Sequence, residues 1–425
     1  MSKNRIHLSL CTLSLVCLAW GCATGPLLAA DVPSLRPPAP VTPATPTVTT
    51  TTAAAPAPTP PPPRFRTFAD FATTPAQLGI ALQLDAMGKN PGSDLAGVLD
   101  TLSHLPAGQV GPALTQLSPA GYDADTAAAM GAAHRHVGLI SSFIDDSIAD
   151  DPGPWSLWAA GLNGTDDGPQ ADSSARTTGG AGGADYHLGR NIRFGFAFGY
   201  SRTDVIQPGT GSRSQVDAAN YGSYLTWKFA QGYVEAIFSM VEESFTDQRE
   251  INFGQLDRFA ASQHDGRGGS GYLGAGYDLK LAGIRLRPNA ALEYGRFHQQ
   301  AFTEAGAGSL DLALDDRTDE SLQSHVGLRA DYDLKLPAVT VTPRATVAWG
   351  HQFDTDPRTL QASFAQGGSA PFTVQGEPGT ADGLETSAGF SAAFLGVHLY
   401  ADYALNFAGS SGMAHSLQAG LWTKF

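Results

Sequence analysis

The sequence predicts an all-β fold, a transmembrane barrel of about twelve antiparallel strands with an N-terminal helical segment that threads its lumen. Three observations predict it. Apolar and polar side chains alternate from Pro154 to the end of the chain, and successive side chains of a strand point to opposite faces. The connections between the predicted strands are alternately short and long, which is typical of membrane barrels. The last residue, Phe425, continues the apolar row of a strand, whereas the ends of soluble chains usually fray.

Composition and charge exclude some classes of protein and leave others open. The 425 residues carry a formal net charge of −14, and because no basic stripe offsets that charge, we expect no nucleic-acid partner. The 49 glycines and the 16% of charged residues suit tightly turned β structure and equally a large disordered fraction. No apolar window of about 18 residues follows the N-terminal signal, so no transmembrane helix is expected in the mature chain. A membrane protein without such a helix has to be a barrel.

Residues 1–30 have the features of an export signal. A basic start is followed by an apolar core over Ile6–Trp20, and cleavage is expected after Ala23 or Ala30; the alternative is a short anchor or core helix. Ala19–Cys22 resembles a lipoprotein processing site, apart from its Trp, and leaves lipidation open. The three cysteines all lie in this region: Cys11, Cys17 and Cys22. The rest of the chain therefore offers no disulfide and no Cys-ligated metal.

Residues 31–64 form a separate segment of proline, threonine and alanine with almost no charge. Such a segment has too little apolar surface for a core, and its prolines favour extended polyproline II. We therefore predict a disordered linker that acts as a spacer. The alternative is a segment that binds an aromatic groove.

Residues 65–150 change character and predict a helical segment. Apolar residues recur at spacings of three and four over Pro75–Met87, Ser93–His104 and Val110–Leu117. A longer helix is predicted at about 123–146, where roughly 21 helical residues would span about 31 Å, close to the hydrocarbon thickness of a bilayer.

The long helix is not expected to face lipid, because it carries five ionisable side chains: His134, Arg135, His136, Asp145 and Asp146. It lies either inside a pore or in a small periplasmic helical bundle. About eight strands leave an interior filled by side chains and about sixteen leave an aqueous channel. A barrel of twelve therefore suits a helix about 10–12 Å across and favours the pore. Because acidic residues are unfavourable at a helix C-terminus, the alternative is an end earlier than 146.

Residues 151–425 contain the predicted barrel. Its strands are expected near 154–163, 174–188, 191–204, 214–229, 232–249, 258–281, 284–302, 317–335, 338–353, 381–394, 397–407 and 412–425. Five connections are tight: Gly189-Arg190, Ala230-Gln231, Ala282-Gly283, Leu336-Pro337 and Leu395-Gly396. The connections between them are expected to be longer polar loops, around 164–172, 208–212, 251–256, 304–308 and 354–380. An even strand number brings both ends of the barrel to the short-turn, periplasmic side.

The last strand is expected to close the barrel against the first strand near Trp155–Asn163, because a strand edge in a bilayer needs a partner. Leu417, Leu421 and Phe425 lie in one row of this strand. They resemble the C-terminal signal that the outer-membrane assembly machinery reads. We expect deletion of Phe425 to lower the amount of barrel in the outer membrane more than it changes any activity.

Several short motifs follow one another in order: Pro75–Gln77, Ala113–Pro119 before Tyr122, Trp158-Ala159, Gly195–Ser201 and Phe425. In this order they resemble the translocator domain of autotransporters, the type V secretion family, over 74–425. Pro119 stands where the family has a small residue. The resemblance implies a twelve-stranded barrel that carries its own N-terminal passenger to the cell surface. Here the passenger is expected to be very short or absent, because no long run of β-helix-like repeats precedes the barrel.

We expect no enzymatic activity and no catalytic, cofactor or metal site. Gly92–Leu95 contains the residues of the esterase block of some autotransporters, but in scrambled order. The sequence has no Gly-x-Ser-x-Gly elbow and no His-Glu-x-x-His zinc helix. His134 and His136 fall on opposite faces of a helix and make a poor metal pair.

The candidate lumen charges are Arg135, Arg193, Glu293, Arg296, Arg329, Asp331 and Arg344. The acidic ones either pair with Arg135 of the helix or satisfy the other charges of the wall. Some relatives in this family cut the pore helix at an asparagine with the help of acidic lumen residues. No Asn occurs between Asn90 and Asn163, so the resemblance implies a helix that stays in the barrel as a plug.

These observations predict a non-enzymatic outer-membrane translocator that exports or anchors its own short N-terminal segment at the surface of a Gram-negative cell. The alternative is an outer-membrane pore or structural barrel gated by its internal helix, without a role in secretion. A soluble periplasmic β protein that binds a ligand is a third possibility. The expected partners are the lipid bilayer, the outer-membrane assembly machinery and periplasmic chaperones. We expect a monomer without a cofactor.

Overall fold

The computed structural model describes residues 67–148, 153–167, 173–207, 209–366, 369–376, 378–408 and 412–425. The predicted signal peptide (1–30), the predicted linker (31–64) and the question of lipidation at Cys22 lie outside the described residues. Among the residues described, no helix is both long enough and apolar enough to cross a membrane.

Twelve antiparallel strands form a closed barrel, which confirms the predicted fold class. The strands are β1 (Trp155–Asp167), β2 (Ser174–Leu188), β3 (Ile192–Gln207), β4 (Ser212–Phe229), β5 (Gly232–Phe253), β6 (Leu256–Tyr277), β7 (Ile284–Gln299), β8 (Arg317–Tyr332), β9 (Thr340–Gln352), β10 (Asp382–Phe394), β11 (Val397–Ala408) and β12 (Gly412–Lys424). Two further short strands, Leu279–Leu281 and Leu334–Lys335, extend the hairpins after β6 and β8.

The first and last strands close the barrel. β1 and β12 pair antiparallel from Ser156↔Lys424 to Asp167↔Met413. Beyond that register, Trp155 and Phe425 exchange both of their backbone hydrogen bonds, at 3.2 and 3.1 Å. The last residue is therefore part of the ladder, and the sheet has no unpaired edge at this seam.

One end of the barrel, the turn end, carries the tight connections. Ala282-Gly283 and Leu395-Gly396 both have positive φ at each residue, between 50° and 86°. Two consecutive left-handed residues make a hairpin turn whose twist matches that of the strands. Glycine at the second position therefore lowers the conformational cost of both turns.

The opposite end, the loop end, is more structured than the sequence predicts. The expected loop at 251–256 is strand, because β5 and β6 continue to a turn at Gly254-Gln255. Ile251 is fully buried here and Phe253 nearly so, so burial of apolar side chains holds the hairpin straight. The expected loops at 304–308 and 354–380 also contribute short strands.

These loop-end strands form a separate sheet of four antiparallel strands, which we call the loop sheet. In spatial order its strands are Phe372–Gln375, Thr359–Phe364, Leu312–Leu314 and Phe302–Thr303. A short 3-10 helix, Gly308–Leu310, precedes the third of these.

Three helices pack against the loop sheet and the β5–β6 hairpin: α1 (Pro75–Met87), α2 (Ser93–His104) and α3 (Ala107–Gln116). We call residues 67–121 the cap segment. One hydrophobic core joins the cap segment to the loops, and its members come from the helices, the hairpin and the loop sheet: Ile80, Leu84, Val98, Leu102, Leu114, Ile251, Phe253, Leu312, Leu314, Leu360 and Val374. The cap segment therefore lies at the loop end.

The longest helix, α4 (Tyr122–Ser147), runs through the lumen from the loop end to the turn end. At its start, the side chain of Gln207 donates a hydrogen bond of 2.8 Å to the Gly121 carbonyl. At its end, Lys228 donates to the Ile148 carbonyl. Gln207 ends β3 at the loop end, and Lys228 lies near the turn-end terminus of β4. The chain then enters β1 at the turn end.

Candidate functional site: the pore helix and the lumen

The two halves of α4 differ in side-chain size. In the first half, buried alanines face the wall: Ala128, Ala129, Ala132 and Ala133. In the second half the buried residues are large: Val137, Leu139, Ile140, Phe143 and Ile144. The helix is therefore thin near the loop end and thick near the turn end.

Phe143 is the centre of an aromatic cluster at the turn end. Its ring stacks on Trp158 with 4.9 Å between centroids, and it meets Tyr224 and Trp422 edge-on at 6.3 and 6.4 Å. The Arg193 guanidinium lies 5.3 Å from the centre of the Phe143 ring on another side. Edge-on and stacked aromatic contacts add to the free energy that burial supplies.

Polar groups of the wall complete this cluster. The Trp158 indole donates a 2.9 Å hydrogen bond to the Tyr224 hydroxyl, which donates at 2.9 Å to Asp185. Arg193 donates at 2.6 Å to the Ser147 hydroxyl near the end of the helix. Arg193, a predicted lumen charge, thus lies in the lumen and binds the helix.

The last turn of α4 is held by three arginines of the wall. Arg287 donates to the Asp145 carbonyl at 2.9 Å and lies 3.3 Å from its carboxylate. Arg344 pairs with Asp146. Arg329 reaches both carboxylates, at 3.9 and 3.8 Å. We call these five residues the charge lock.

The charge lock explains why the helix extends over the whole of the predicted range, about 123–146. The acidic pair near its C-terminus favoured an earlier end, because acidic side chains meet the negative end of the helix dipole there. The helix instead continues to Ser147. Paired and hydrogen-bonded carboxylates remain stable when buried, and here the arginines of three strands outweigh the dipole.

The remaining wall charges around the lock satisfy one another. Asp331, a predicted lumen charge, accepts from Arg329 at 2.9 Å and from Arg285 at 3.4 Å. Asp402 pairs with the other side of the Arg344 guanidinium. Arg344 therefore bridges the helix and strand β11.

In the middle of the lumen, the two predicted acidic residues, Glu293 and Asp331, bind partners other than Arg135. The hydrogen-bond partner of Arg135 is the Thr177 hydroxyl, at 2.7 Å. Glu293 binds His134 instead, at 2.8 Å. His134 also stacks against His325 with 5.8 Å between centroids. His136 faces another part of the wall, and in the described ranges no three His, Cys, Asp or Glu residues come together as metal ligands.

Arg296 is not a lumen residue. Its side chain is 63% exposed and pairs with Glu320 at 3.4 Å on the outside of the barrel. On β7 it shares the outward parity of Leu292 and Tyr294, whereas Glu293 faces inward. Alternation along the strand contained this information.

At the loop end, the start of α4 is bound to the loops. The Tyr122 hydroxyl donates to Glu304 at 2.6 Å. Arg249 binds the same carboxylate, at 2.8 Å through Nε, and also donates at 2.8 Å to the Gln116 carbonyl of the cap segment. Asp123 accepts from Arg358 at 2.6 Å.

The sequence analysis missed residues that hold the helix at both ends. Arg287 and Glu304 bind it directly, whereas Arg249 and Asp402 act through Glu304 and Arg344. A usable signal existed for Arg249, because it has the same parity on β5 as the buried Val241, Phe245 and Asp247. For Glu304 there was none, because its role depends on the folding of a loop.

The predicted C-terminal signal lies on the outside of the barrel. Leu417 and Phe425 are exposed, while Leu421 is covered by its neighbours on β1 and β11. Trp422, of the other parity, is buried and donates to Asp146 at 3.2 Å.

Outward-facing residues of the barrel are apolar along its membrane zone, as in β3, where Phe194, Phe196 and Phe198 are all exposed. A closed barrel with an apolar outside and a charged, helix-filled inside is a transmembrane β-barrel. A model of the family described as "Autotransporter beta-domain" matches residues 157–404, and the chain belongs to that family.

Known structures and relatives agree with this assignment. The translocator domain of the autotransporter NalP from Neisseria meningitidis is similar over 72% of this chain and all of its own length, with a TM-score of 0.58 and 17% identity. The β domain of the Bordetella autotransporter BrkA is similar over 64% of this chain and all of its own length, with a TM-score of 0.50 and 19% identity. At these identities the likeness shows the fold.

A curated relative, "Extracellular serine protease" of Serratia marcescens, is 27% identical over 287 residues, which make up 66% of this chain. The matched region is 27% of that relative. The chain thus spans about a quarter of the length of the curated relatives it matches.

Family membership fixes the location and orientation. The protein is an autotransporter β-domain translocator of the Gram-negative outer membrane and of type V secretion. Such barrels have short turns on the periplasmic side and longer loops on the cell surface. The turn end with its charge lock is therefore the periplasmic side of the barrel, and the loop end is its cell-surface side.

Proposed function

We propose that this translocator displays its own N-terminal segment and keeps it attached to the outer membrane, without enzymatic activity. α4 remains in the lumen as a permanent anchor, and the cap segment stays on the cell surface together with whatever precedes it. The observation that carries this proposal is the shared core of the cap segment and the loops.

The shared core supports anchoring because it would be lost if the helix were cut and the N-terminal part left. Ile80, Leu84 and Leu114 are fully buried in one core with residues of the β5–β6 hairpin and the loop sheet, such as Ile251 and Leu312. Burying each large aliphatic side chain contributes about 1.5–3 kcal/mol. Such burial opposes release of the cap segment and favours its retention on the barrel.

The charge lock supports the same proposal from the other end of the helix. Asp145 and Asp146 are each bound by arginines of the wall. Moving the helix out of the lumen would leave those buried charges without partners, which is strongly unfavourable. The name of the Serratia relatives describes a protease, and most of their length lies outside the matched region, so we assign no protease activity to this chain.

Two measurements test the proposal. A tag placed in 32–63 should be removed by protease from the surface of intact cells, while a periplasmic marker stays intact. The purified, folded protein should run as a single polypeptide after full denaturation. A tag protected in intact cells would exclude export of the segment, and a separate helix-containing fragment on the gel would exclude permanent anchoring.

A further inference from the structure

A cavity of about 910 Å³ lies at the loop end, between the cap segment and the barrel mouth. The cap segment contributes Gln77 and Thr115 to its wall, and the barrel contributes Gln207 and Gln248. Pockets of this size hold small organic ligands.

Two buried carboxylates line this cavity. Asp125 in the first turn of α4 is 1% exposed, and Asp247 on β5 is 3% exposed. Ser214 lines the same cavity as both carboxylates and stands opposite Asp247 in the β4–β5 register.

Each carboxylate keeps one oxygen without a hydrogen-bond partner in the described part of the chain, Oδ1 in both cases. The other oxygen of Asp247 accepts from Ser262 at 3.0 Å and lies 3.3 Å from His264. Nearby Arg249 is engaged by Glu304 and by backbone carbonyls. Buried carboxylate oxygens accept only, and leaving them unpaired is costly.

We propose that this cavity binds a small organic cation through a primary ammonium group seated between Asp125 and Asp247. An ammonium supplies three donors and a positive charge, which match the two free acceptors. Tyr122 and Phe71 also line the cavity, and aromatic side chains attract cations. The volume far exceeds that of a bare metal ion.

The cavity wall comes from both the cap segment and the barrel. A bound cation therefore also stabilises the contact between the cap segment and the barrel. A ligand that binds only when the cap segment is docked on the barrel stabilises this docked state by mass action. Binding should therefore protect the cap segment from protease.

The test uses the full chain folded in detergent micelles at low salt. Calorimetry measures binding of putrescine and of spermidine, with 1,4-butanediol as the uncharged analogue and Ca²⁺ and Mg²⁺ as separate arms. The variants are Asp125→Asn, Asp247→Asn and their combination, and Glu320→Gln on the outer face is the matched control. The heat-dependent gel shift of a folded barrel verifies each variant.

We expect the amines to bind and the diol not to bind. Each single variant should weaken amine binding about tenfold or more, as the loss of one charged hydrogen bond does, while Glu320→Gln changes nothing. Saturating amine should slow proteolysis of the cap segment in the wild type and not in the double variant.

Three results would overturn the proposal: no amine binding by the folded wild type, unchanged binding in the double variant, or binding of Ca²⁺ or Mg²⁺ without binding of amines. The asparagine variants remove repulsion between neighbouring carboxylates and should fold at least as stably as the wild type. A loss of binding in a folded variant therefore reports on the site.

Discussion

The two ends of the pore helix are held by different means. At the periplasmic end, Phe143 packs among Trp158, Tyr224 and Trp422, and the charge lock binds the last turn. At the extracellular end the helix presents alanines to the wall. Its polar contacts there go to strand ends, through Gln207, Gln299 and Arg317, and to the loop residues Glu304 and Arg358. The comparison indicates that the barrel alone retains the helix at one end, while the loops and the folded cap segment contribute at the other.

This difference follows the surroundings of each end. The periplasmic end lies between short turns, where strand residues are fixed in place and can form an exact fit with large side chains. The extracellular end lies among long loops and the extended β5–β6 hairpin, and the loop sheet and α1–α3 form one core there. Damage at the first end should therefore affect the barrel, and damage at the second should affect mainly the cap segment.

The largest expected effect is that of Phe143→Ala. Loss of a fully buried phenylalanine costs about 4 kcal/mol in the free energy of unfolding. Here it also removes the contacts with three aromatic neighbours. The measurement is the temperature at which the folded band disappears on a denaturing gel. Ala129→Gly in the first half of the helix is the control, with an expected cost of about 1 kcal/mol from helix propensity. Equal effects of the two variants would refute the asymmetry.

Arg344→Met should destabilise the barrel nearly as much, by about 3 kcal/mol, because it removes the cation that lies nearest to the buried carboxylates of Asp146 and Asp402. Combining it with Asp146→Asn should restore part of that loss, since the two residues interact directly. Arg296→Met, on the outer face, is the matched control and should cost less than about 1 kcal/mol. Strictly additive effects in the double variant would contradict the pairing.

Arg249→Met tests the other end. It removes charged hydrogen bonds to Glu304 and to the Gln116 carbonyl, with a cost of about 2 kcal/mol. We expect faster proteolysis of the cap segment in intact cells and an unchanged gel shift of the barrel. If the barrel melted earlier while the cap segment stayed resistant, the division between the two ends would be wrong.

Much of this fold could be predicted, because its signals are local. Alternation of side chains defines the strands, and periodic apolar residues place α1 and α2 at Pro75–Met87 and Ser93–His104, where the structure has them. The count of strands led to a helix in the lumen by a simple comparison of diameters. Each of these inferences needs only the pattern of neighbouring residues or the total number of strands.

What the sequence did not reveal depends on distant partners. Asp145 and Asp146 looked unfavourable at a helix end because Arg287, Arg329 and Arg344 lie far along the chain. The loop sheet is held by the cap core, to which both chain regions contribute. Arg296 is a different case, since the parity of its strand already indicated the outer face.

The smallest expected effect concerns Asp94 in α2, which pairs with Arg258 of β6 at 2.7 Å. The hydrogen bond from Arg258 holds the pKa of Asp94 well below its usual range. Both side chains are partly exposed. Asp94→Asn should therefore weaken the docking of the cap segment on the barrel by less than about 1 kcal/mol.

The lowered pKa of Asp94 determines the direction in which the stability of the docked cap segment changes with pH. The ionised carboxylate stabilises the folded state, and that contribution is complete above the ordinary pKa of an aspartate, about 3.9. It declines as the pH falls below that value towards the pKa of the folded state. The proteolysis rates of wild type and Asp94→Asn should therefore differ at pH 7 and at pH 5 and converge only in stronger acid. Rates that converge already between pH 7 and pH 5 would show that a group other than Asp94 controls the docking of the cap segment on the barrel.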